Sequence, residues 1–353
     1  MSIYDSRLWI SDLDESIKGF PQLNKLAGKR VMVTGCTGLI CSAVLDLFIR
    51  WNETHREKIV ILAAGRNEQK IQARFTRYVG EDWFVFVPYD AASLNNHLDL
   101  PCDYIIHGAG NASPDKILRE PVETMLSNFT GMKFLLDYMK EKEVSRILYI
   151  SSSEVYGRKE RNSPCNPDDY GYIDLLNPRN SYAVGKCAAE TLCASYAEEF
   201  GIDTVIVRPG HIYGPTANEH DKRVSSAWAY AAARGEDIIM KSDGRQIRSY
   251  CYCLDGATAI MNVLLNGESV KAYNISNPDS IITIRQMATI LAETAGVSMK
   301  TELSTDSEKK MFNPMNNSSL DSSELLKLGW KGLFDAQRGF SHTIEILKEI
   351  KQE

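Results

Sequence analysis

Six short apolar runs recur along the first 210 residues: VMVTG, IVILAAG, FVFVPYD, DYIIHGAG, ILYISSS and TVIVRPG. Stretches of helical character separate most of them, including LICSAVLDLFIRW after the first, a polar segment after the second, and segments around 121–142 and 181–200. A continuously apolar strand has no face to show to water, so such strands belong in a parallel sheet covered on both sides, with the helices as crossovers. The pattern predicts a doubly wound α/β domain, whose ligands sit at the carboxyl ends of the strands. After Gly210 the alternation breaks into a smaller α/β region, with a strand near 250–253 and another near 272–276. The expected division is a main domain over 28–210 with a returning segment near 250–276, and a smaller domain over 211–249 and 277–353. Residues 1–27 read as an extension packed on the body, because Trp9, Ile10, Leu13, Ile17 and Phe20 are spaced loosely as on an amphipathic helix. Little functional content is expected of it.

A formal net charge of -6 argues against a nucleic-acid binder that works through a general positive field, so an anionic ligand has to meet specific arginines. The eight cysteines show no paired metal spacing, and no metal site is expected. Cys251 and Cys253, two apart in a strand-like run, share one face, and packing is the simpler reading. No apolar run has the length of a membrane span, roughly 18 residues or more, and no apolar leader opens the sequence. A reducing, cytoplasmic setting is the expectation.

The first strand runs into Thr34-Gly35-Cys36-Thr37-Gly38-Leu39-Ile40-Cys41, a glycine-rich turn opening a helix. Gly35 and Gly38 allow a tight turn and the approach of backbone N–H groups to a pyrophosphate at the helix N-terminus. This makes the main domain a Rossmann-like dinucleotide-binding unit, with Gly35, Thr37, Gly38, Leu39 and Ile40 around the cofactor. The third glycine of the usual fingerprint is replaced by Cys41. The second strand ends Ala64-Gly65-Arg66-Asn67, without the acidic residue that holds the ribose hydroxyls of NAD, so Arg66 leaves NADP open beside NAD. Asp90, after FVFVPY, is placed to reach an adenine amino group or to cap a helix. His107-Gly108-Ala109-Gly110 ends the fourth strand, where small residues such as Ala109 let backbone pass close to the cofactor.

In NPRNSYAVGK, Tyr182 and Lys186 lie four apart at a helix start and face the same way. An ammonium beside a phenol stabilises the phenolate, which would bring a group of pKa ~10 toward neutrality as a base.

The order T-G-x-x-G, H-G-A-G, SSSEVYG, Y-x-x-x-K and RPGHIYGP (Arg208 to Pro215) resembles the extended short-chain dehydrogenase/reductase family, in particular its nucleotide-sugar epimerases, dehydratases and decarboxylases. The likeness runs over about residues 28–340 and includes LDSSELLKLGW, Leu320 to Trp330. It implies an enzyme that oxidises a nucleotide-diphosphate sugar transiently. By this resemblance Tyr182 removes the hydroxyl proton while hydride passes to the nicotinamide, and Ser152 holds the hydroxyl, with Lys186 completing the set. Members that eliminate water carry an Asp-Glu pair after that serine; here the pair is Ser153-Glu154, as in UDP-glucuronate decarboxylases. The motif around Asn111 and Ser113, and Asn177-Pro178-Arg179 before Tyr182, are similar to that group too. The stretches DKRVSS and DGRQIRSY imply that Arg223 and Arg248 hold the diphosphate, with Arg248 alternatively on the sugar carboxylate. His211 stands where a smaller or amide side chain is common. A 4-epimerase uses the same Ser152, Tyr182 and Lys186, and remains the second reading, ahead of a dehydratase or reductase. Non-catalytic members of the fold usually lack the tyrosine or lysine, and both are present. The resemblance also implies a homodimer through the helices around 121–142 and 181–200, whose stripe Met125, Phe129, Leu135 and Leu136 otherwise only covers the sheet.

Overall fold

The structure, a computed structural model, describes residues 2–302 and 315–351; positions 303–314, 352 and 353 of the expected smaller domain lie outside the described residues. The strands are β1 (Arg30–Thr34), β2 (Val60–Gly65), β3 (Phe84–Pro88), β4 (Tyr104–His107), β5 (Arg146–Ile150), β6 (Thr204–Pro209), β7 (His211–Tyr213), β8 (Ile238–Met240), β9 (Ile247–Tyr252), β10 (Ala272–Ile275), β11 (Ile281–Thr283), β12 (Met299–Thr301) and β13 (Asn317–Ser318). The helices are α1 (Arg7–Gly19), α2 (Leu39–Thr54), α3 (Glu68–Arg74), α4 (Pro114–Arg119), α5 (Pro121–Lys142), α6 (Ser181–Phe200), α7 (Val224–Ala233), α8 (Cys253–Asn266), α9 (Ile284–Ala295), α10 (Ser323–Lys327) and α11 (Ala336–Glu349).

Seven strands form one parallel sheet in the order β10-β6-β5-β4-β1-β2-β3. Every apolar run singled out in the sequence is one of its strands, because each buries side chains on both faces. In β1, Val31 and Val33 join the cluster under α2 and α8, while Met32 joins the opposite cluster under α5 and α6. The strand order reverses between β1 and β4, where Thr34 pairs with His107 in register, and the crevice at their carboxyl ends is the place for a ligand.

A second sheet, ordered β11-β9-β13 with β7 also paired to β9, and a two-stranded pair, β12 with β8, lie beyond Pro209. This corrects one expectation. The strand expected near 250–253 is β9, which belongs to the second sheet, while α8 and β10 return to the main one. It also corrects the shared face of Cys251 and Cys253: the strand stops at Tyr252 and Cys253 opens α8. All eight cysteines are free, and both of these are buried.

The N-terminal helix forms as its spacing predicts, with Trp9 and Leu13 fully buried and Ser6 capping it by accepting the Trp9 N–H. On α5 the expected stripe divides. Leu135 and Leu136 are buried against the sheet, whereas Met125 and Phe129 are exposed together with Val122 and Leu126.

Candidate active site

The cleft at the switch point is built by the turn after β1. Gly35 adopts φ +70°, and a Cβ there would come within 2.8 Å of the Gly108 carbonyl oxygen and 2.9 Å of the Ala109 nitrogen. Only glycine allows this contact. Gly38 caps α2, whose first-turn N–H groups face the cleft end of the strand. Thr34 joins the two strand ends: its hydroxyl accepts the Gly108 and Ala109 N–H groups at 3.2 and 3.1 Å and stands 2.7 Å from His107 Nδ1. A hydroxyl that accepts twice has its own proton left for His107. Burial, with repulsion from Lys186, pushes His107 down to about 3, so the ring is neutral and structural.

The resulting cleft has a volume of about 410 Å³, and its wall includes Gly35, Thr37, Gly38, Arg66, Asp90 and Ala109. Leu39 and Ile40 follow in the first turn of α2 and are not part of that wall; Leu39 is buried and its carbonyl accepts the Thr216 hydroxyl at 2.9 Å. Asp90 does not cap a helix. Its carboxylate accepts the Ala92 N–H at 3.0 Å and lies 4.0 Å from Arg66 Nε. Lys70, which the motif reading passed over, also lines the cleft, one helical turn beyond Arg66. Cys41 takes the place of the third glycine without spoiling the packing, because Gly108 makes the room: a Cβ on Gly108 would sit 2.4 Å from the Cys41 sulfur.

Beyond the cleft, β5 delivers Ser152, Ser153 and Glu154, and α6 delivers Tyr182 and Lys186. The phenol of Tyr182 is enclosed. Burial pushes it up to about 12 and the Glu154 charge adds to this, while the Ser152 hydroxyl, Arg223 and Arg179 pull it back. Lys186 is buried too, and burial lowers it to about 7 against the opposing influence of Glu190 and Cys41. Its ammonium donates to the Ile150 carbonyl at 2.7 Å and lies 5.7 Å from the Tyr182 ring centroid. The expectation that Lys186 brings the phenol toward neutrality is not met in the free chain, where burial is the largest influence on both groups.

Glu154 accepts both arms of the Arg179 guanidinium, at 3.1 and 3.3 Å. Arg223 is engaged by Asp221, with Nε 3.0 and 2.9 Å from the two carboxylate oxygens. Arg248 differs from both. It is 4% exposed, donates only to the Ile247 and Met315 carbonyls at 2.8 and 3.1 Å, and has no carboxylate partner among the described residues. Burial, with repulsion from Arg248 and Arg223, pushes His211 down to about 3, and its Nδ1 is buried without a hydrogen-bond partner among the described residues. An enclosed guanidinium facing no counter-charge is suited to an anionic ligand. Ser113 stands at the N-terminus of α4, a helix that packs against the turn Pro178–Asn180 carrying Arg179.

Behind the site runs a buried network that motif reading missed. Glu190 accepts Ser151 Oγ at 2.5 Å and both arms of Arg208, at 3.0 and 2.6 Å; Arg208 also donates to Tyr156 OH at 3.2 Å. The signal was available, since Glu190 follows Lys186 by four residues in one helix.

A glycine turn at the switch point of a parallel sheet, opening toward a buried tyrosine and lysine, defines a dinucleotide-dependent α/β enzyme. The chain belongs to the NAD dependent epimerase/dehydratase family, whose sequence model matches residues 31–276. Among curated proteins it is 31% identical to UDP-glucuronic acid decarboxylase 6 of Arabidopsis thaliana over 261 residues, which is 74% of this chain and 73% of that protein. It is 26% identical to UDP-glucuronic acid decarboxylase 1 of Xenopus tropicalis over 329 residues, 92% of this chain and 74% of that one. Among solved structures, the UDP-glucose 4-epimerase of Thermotoga maritima, determined with UDP-glucose, superimposes with a TM-score of 0.74 at 20% identity, covering 91% of this chain and 99% of that one. The last likeness is one of fold.

Proposed function

We propose that the protein decarboxylates a nucleotide-diphosphate uronic acid, with UDP-glucuronic acid as the leading substrate, by way of a transient 4-keto sugar. The observation that carries this reading is the end of β5, where Ser152 stands beside the Tyr182 phenol and is followed by Ser153 and Glu154 with no aspartate. The names of the curated relatives support the same reaction.

The turn of Gly35 and Gly38, packed against Gly108 and Ala109 and opening α2 at the cleft, fits a dinucleotide pyrophosphate, which a helix N-terminus receives on its free N–H groups. The dinucleotide supplies a hydride acceptor that later gives the hydride back. Arg66 and Lys70 at the end of β2 are complementary to a further phosphate, so NADP is accommodated as well as NAD. Tyr182 takes the proton of the sugar hydroxyl at C4, and Ser152 holds that hydroxyl by a hydrogen bond. The C5 carboxylate is then β to a ketone. The bond between C5 and the carboxylate breaks, its electron pair enters an enolate, and carbon dioxide leaves. Tyr182, now carrying the proton, and Ser152 hydrogen-bond the enolate oxygen; C5 takes a proton, and the ketone is reduced. The net change is uronate plus a proton to pentose plus carbon dioxide. Glu154 is held in the Arg179 fork, and the residue before it is Ser153, so the aspartic acid that water elimination requires is absent. Arg248, with Arg223 released from Asp221, holds the diphosphate.

The exposed apolar row Val122, Met125, Leu126 and Phe129 on α5 supports a homodimer through this face. Among the described residues no helix is long and apolar enough to cross a membrane. Eight free thiols suit a reducing compartment, the cytoplasm.

The reading is tested by incubating the purified protein with UDP-glucuronic acid and catalytic NAD and weighing the sugar nucleotide by mass spectrometry. A product lighter by one carbon dioxide, absent with Tyr182→Phe, is expected. An unchanged mass with an inverted C4 centre makes it an epimerase, and loss of water a dehydratase; either overturns the proposal.

A further inference from the structure

The N-terminal extension does more than cover the body. Asp46, in the middle of α2, is 0% exposed, and its carboxylate is held from two sides. One oxygen accepts the Tyr4 hydroxyl at 2.5 Å, and the other accepts Arg74 Nη2 at 2.5 Å. Arg74 closes the triangle by donating Nη1 to the Tyr4 oxygen at 3.1 Å, and its guanidinium lies 5.2 Å from the Tyr4 ring centroid and 4.8 Å from that of Phe75. Next to it, Arg77 pairs with Asp5 and donates to the Tyr4 carbonyl at 3.4 Å. The Tyr78 ring meets Tyr4 edge-on at 5.2 Å, and its hydroxyl donates to Glu53 of α2 at 2.6 Å.

Arg74, Arg77 and Tyr78 belong to the segment after β2 that supplies Lys70 and Ile71 to the wall of the dinucleotide cleft. Its helix, α3, is seven residues long, far too short to hold its own shape, so its position is set by what it touches. Ile71 and Phe75 anchor it in the core. Among the described residues, the side-chain hydrogen bonds that Arg74, Arg77 and Tyr78 donate all end on Tyr4, Asp5, Asp46 and Glu53. The segment is thus tied to α2, the helix that opens at the pyrophosphate turn, by Arg74 to Asp46 and Tyr78 to Glu53, and Tyr4 and Asp5 brace both ties.

We propose that residues 2–20 are a positioning element for the dinucleotide, with Tyr4 and Arg74 acting through Asp46 to fix the wall at the end of β2, where the adenosine ribose lies. The proposal rests on the dinucleotide-binding reading of the cleft. None of these side chains lines the cleft; they set the place of Lys70 and Ile71, which do. The nucleotide-sugar residues Arg223 and Arg248 lie on other elements and are outside this brace.

Tyr4→Phe removes one donor from Asp46 while keeping the ring, and Arg74→Lys keeps the charge while losing the fork. Titration calorimetry of each full-length variant with NAD, NADP and, separately, UDP reads the effect. Dinucleotide binding is expected to weaken about tenfold in each, as suits the loss of a hydrogen bond to a charged group, with UDP binding within about twofold of the wild type. A fall in thermal stability with dinucleotide affinity unchanged would show a brace for folding alone and overturn the proposal. So would a parallel weakening of dinucleotide and UDP. Absence of dinucleotide binding in the wild type itself would sink the reading of the cleft and the inference with it.

Discussion

Replacing Arg248 by methionine separates stability from binding, and the structure gives the size of both effects. The guanidinium is 4% exposed with two carbonyl partners and no carboxylate among the described residues. Burial lowers its pKa, the mark of a charge whose surroundings do not repay its desolvation. A buried uncompensated ion costs several kcal/mol, about 3–5 when a partner is lacking. Two hydrogen bonds from a charged donor return about 1.5–3 kcal/mol each. These nearly cancel, and methionine keeps much of the packing. The free variant is therefore expected to unfold within about 2 kcal/mol of the wild type, a shift of a few degrees at most in a chain this long. Binding should behave differently. Loss of a desolvated charge that meets a diphosphate costs about 2–5 kcal/mol, or roughly 30-fold to several thousand-fold in affinity for UDP. Arg248→Lys keeps the charge without the fork and should fall between. Thermal unfolding with and without UDP reads both quantities. A variant that is strongly destabilised when free, yet is stabilised by UDP as much as the wild type, would refute the argument and make Arg248 a structural residue.

Three further outcomes follow from the same geometry. Gly35→Ala sets a Cβ at φ +70° and 2.8 Å from the Gly108 carbonyl, so dinucleotide binding measured by calorimetry should fall by at least about tenfold, from strain of about 1–2 kcal/mol plus the clash; unchanged affinity would contradict the cradle. His107 is held near 3 against an ordinary value of 6.5. The unfolded chain therefore takes up a proton below 6.5 while the folded chain does so only below about 3, and stability present above 6.5 is lost as pH falls through this window. In urea titrations at several pH values, His107→Asn should lose less stability on acidification than the wild type, and an equal loss would count against the buried neutral ring. The proposed pairing through the exposed row of α5 predicts a dimer for the wild type in light scattering and a monomer for Phe129→Lys, with the fold intact by circular dichroism; a monomeric wild type would refute it.

The fold was legible because its strongest constraint is local: six strands buried on both faces leave a composition that no other arrangement tolerates. The glycine turn was legible for the same reason, since Gly35 and Gly38 answer to backbone sterics within a few residues. What lay between distant segments was not. The Glu154 to Arg179 pair, the engagement of Arg223 by Asp221 and the isolation of Arg248 depend on where loops from separate elements end. Spacing put Tyr182 and Lys186 on one face but said nothing of desolvation, so the rise of the Tyr182 phenol was missed. The N-terminal segment was read as a cover because its apolar spacing fits a helix, while Tyr4 and Arg74 meet at Asp46 only through the fold.

The central claim is that carbon dioxide leaves a 4-keto uronic acid and that C5 is then protonated. UDP-glucuronic acid with an isotopically labelled carboxylate, incubated with the enzyme and NAD in deuterated water, tests both steps in one magnetic resonance experiment. The account predicts that the label appears as carbon dioxide and bicarbonate while the pentose product carries a deuteron at C5. A label that stays in the sugar, with C4 inverted or water lost, would contradict it.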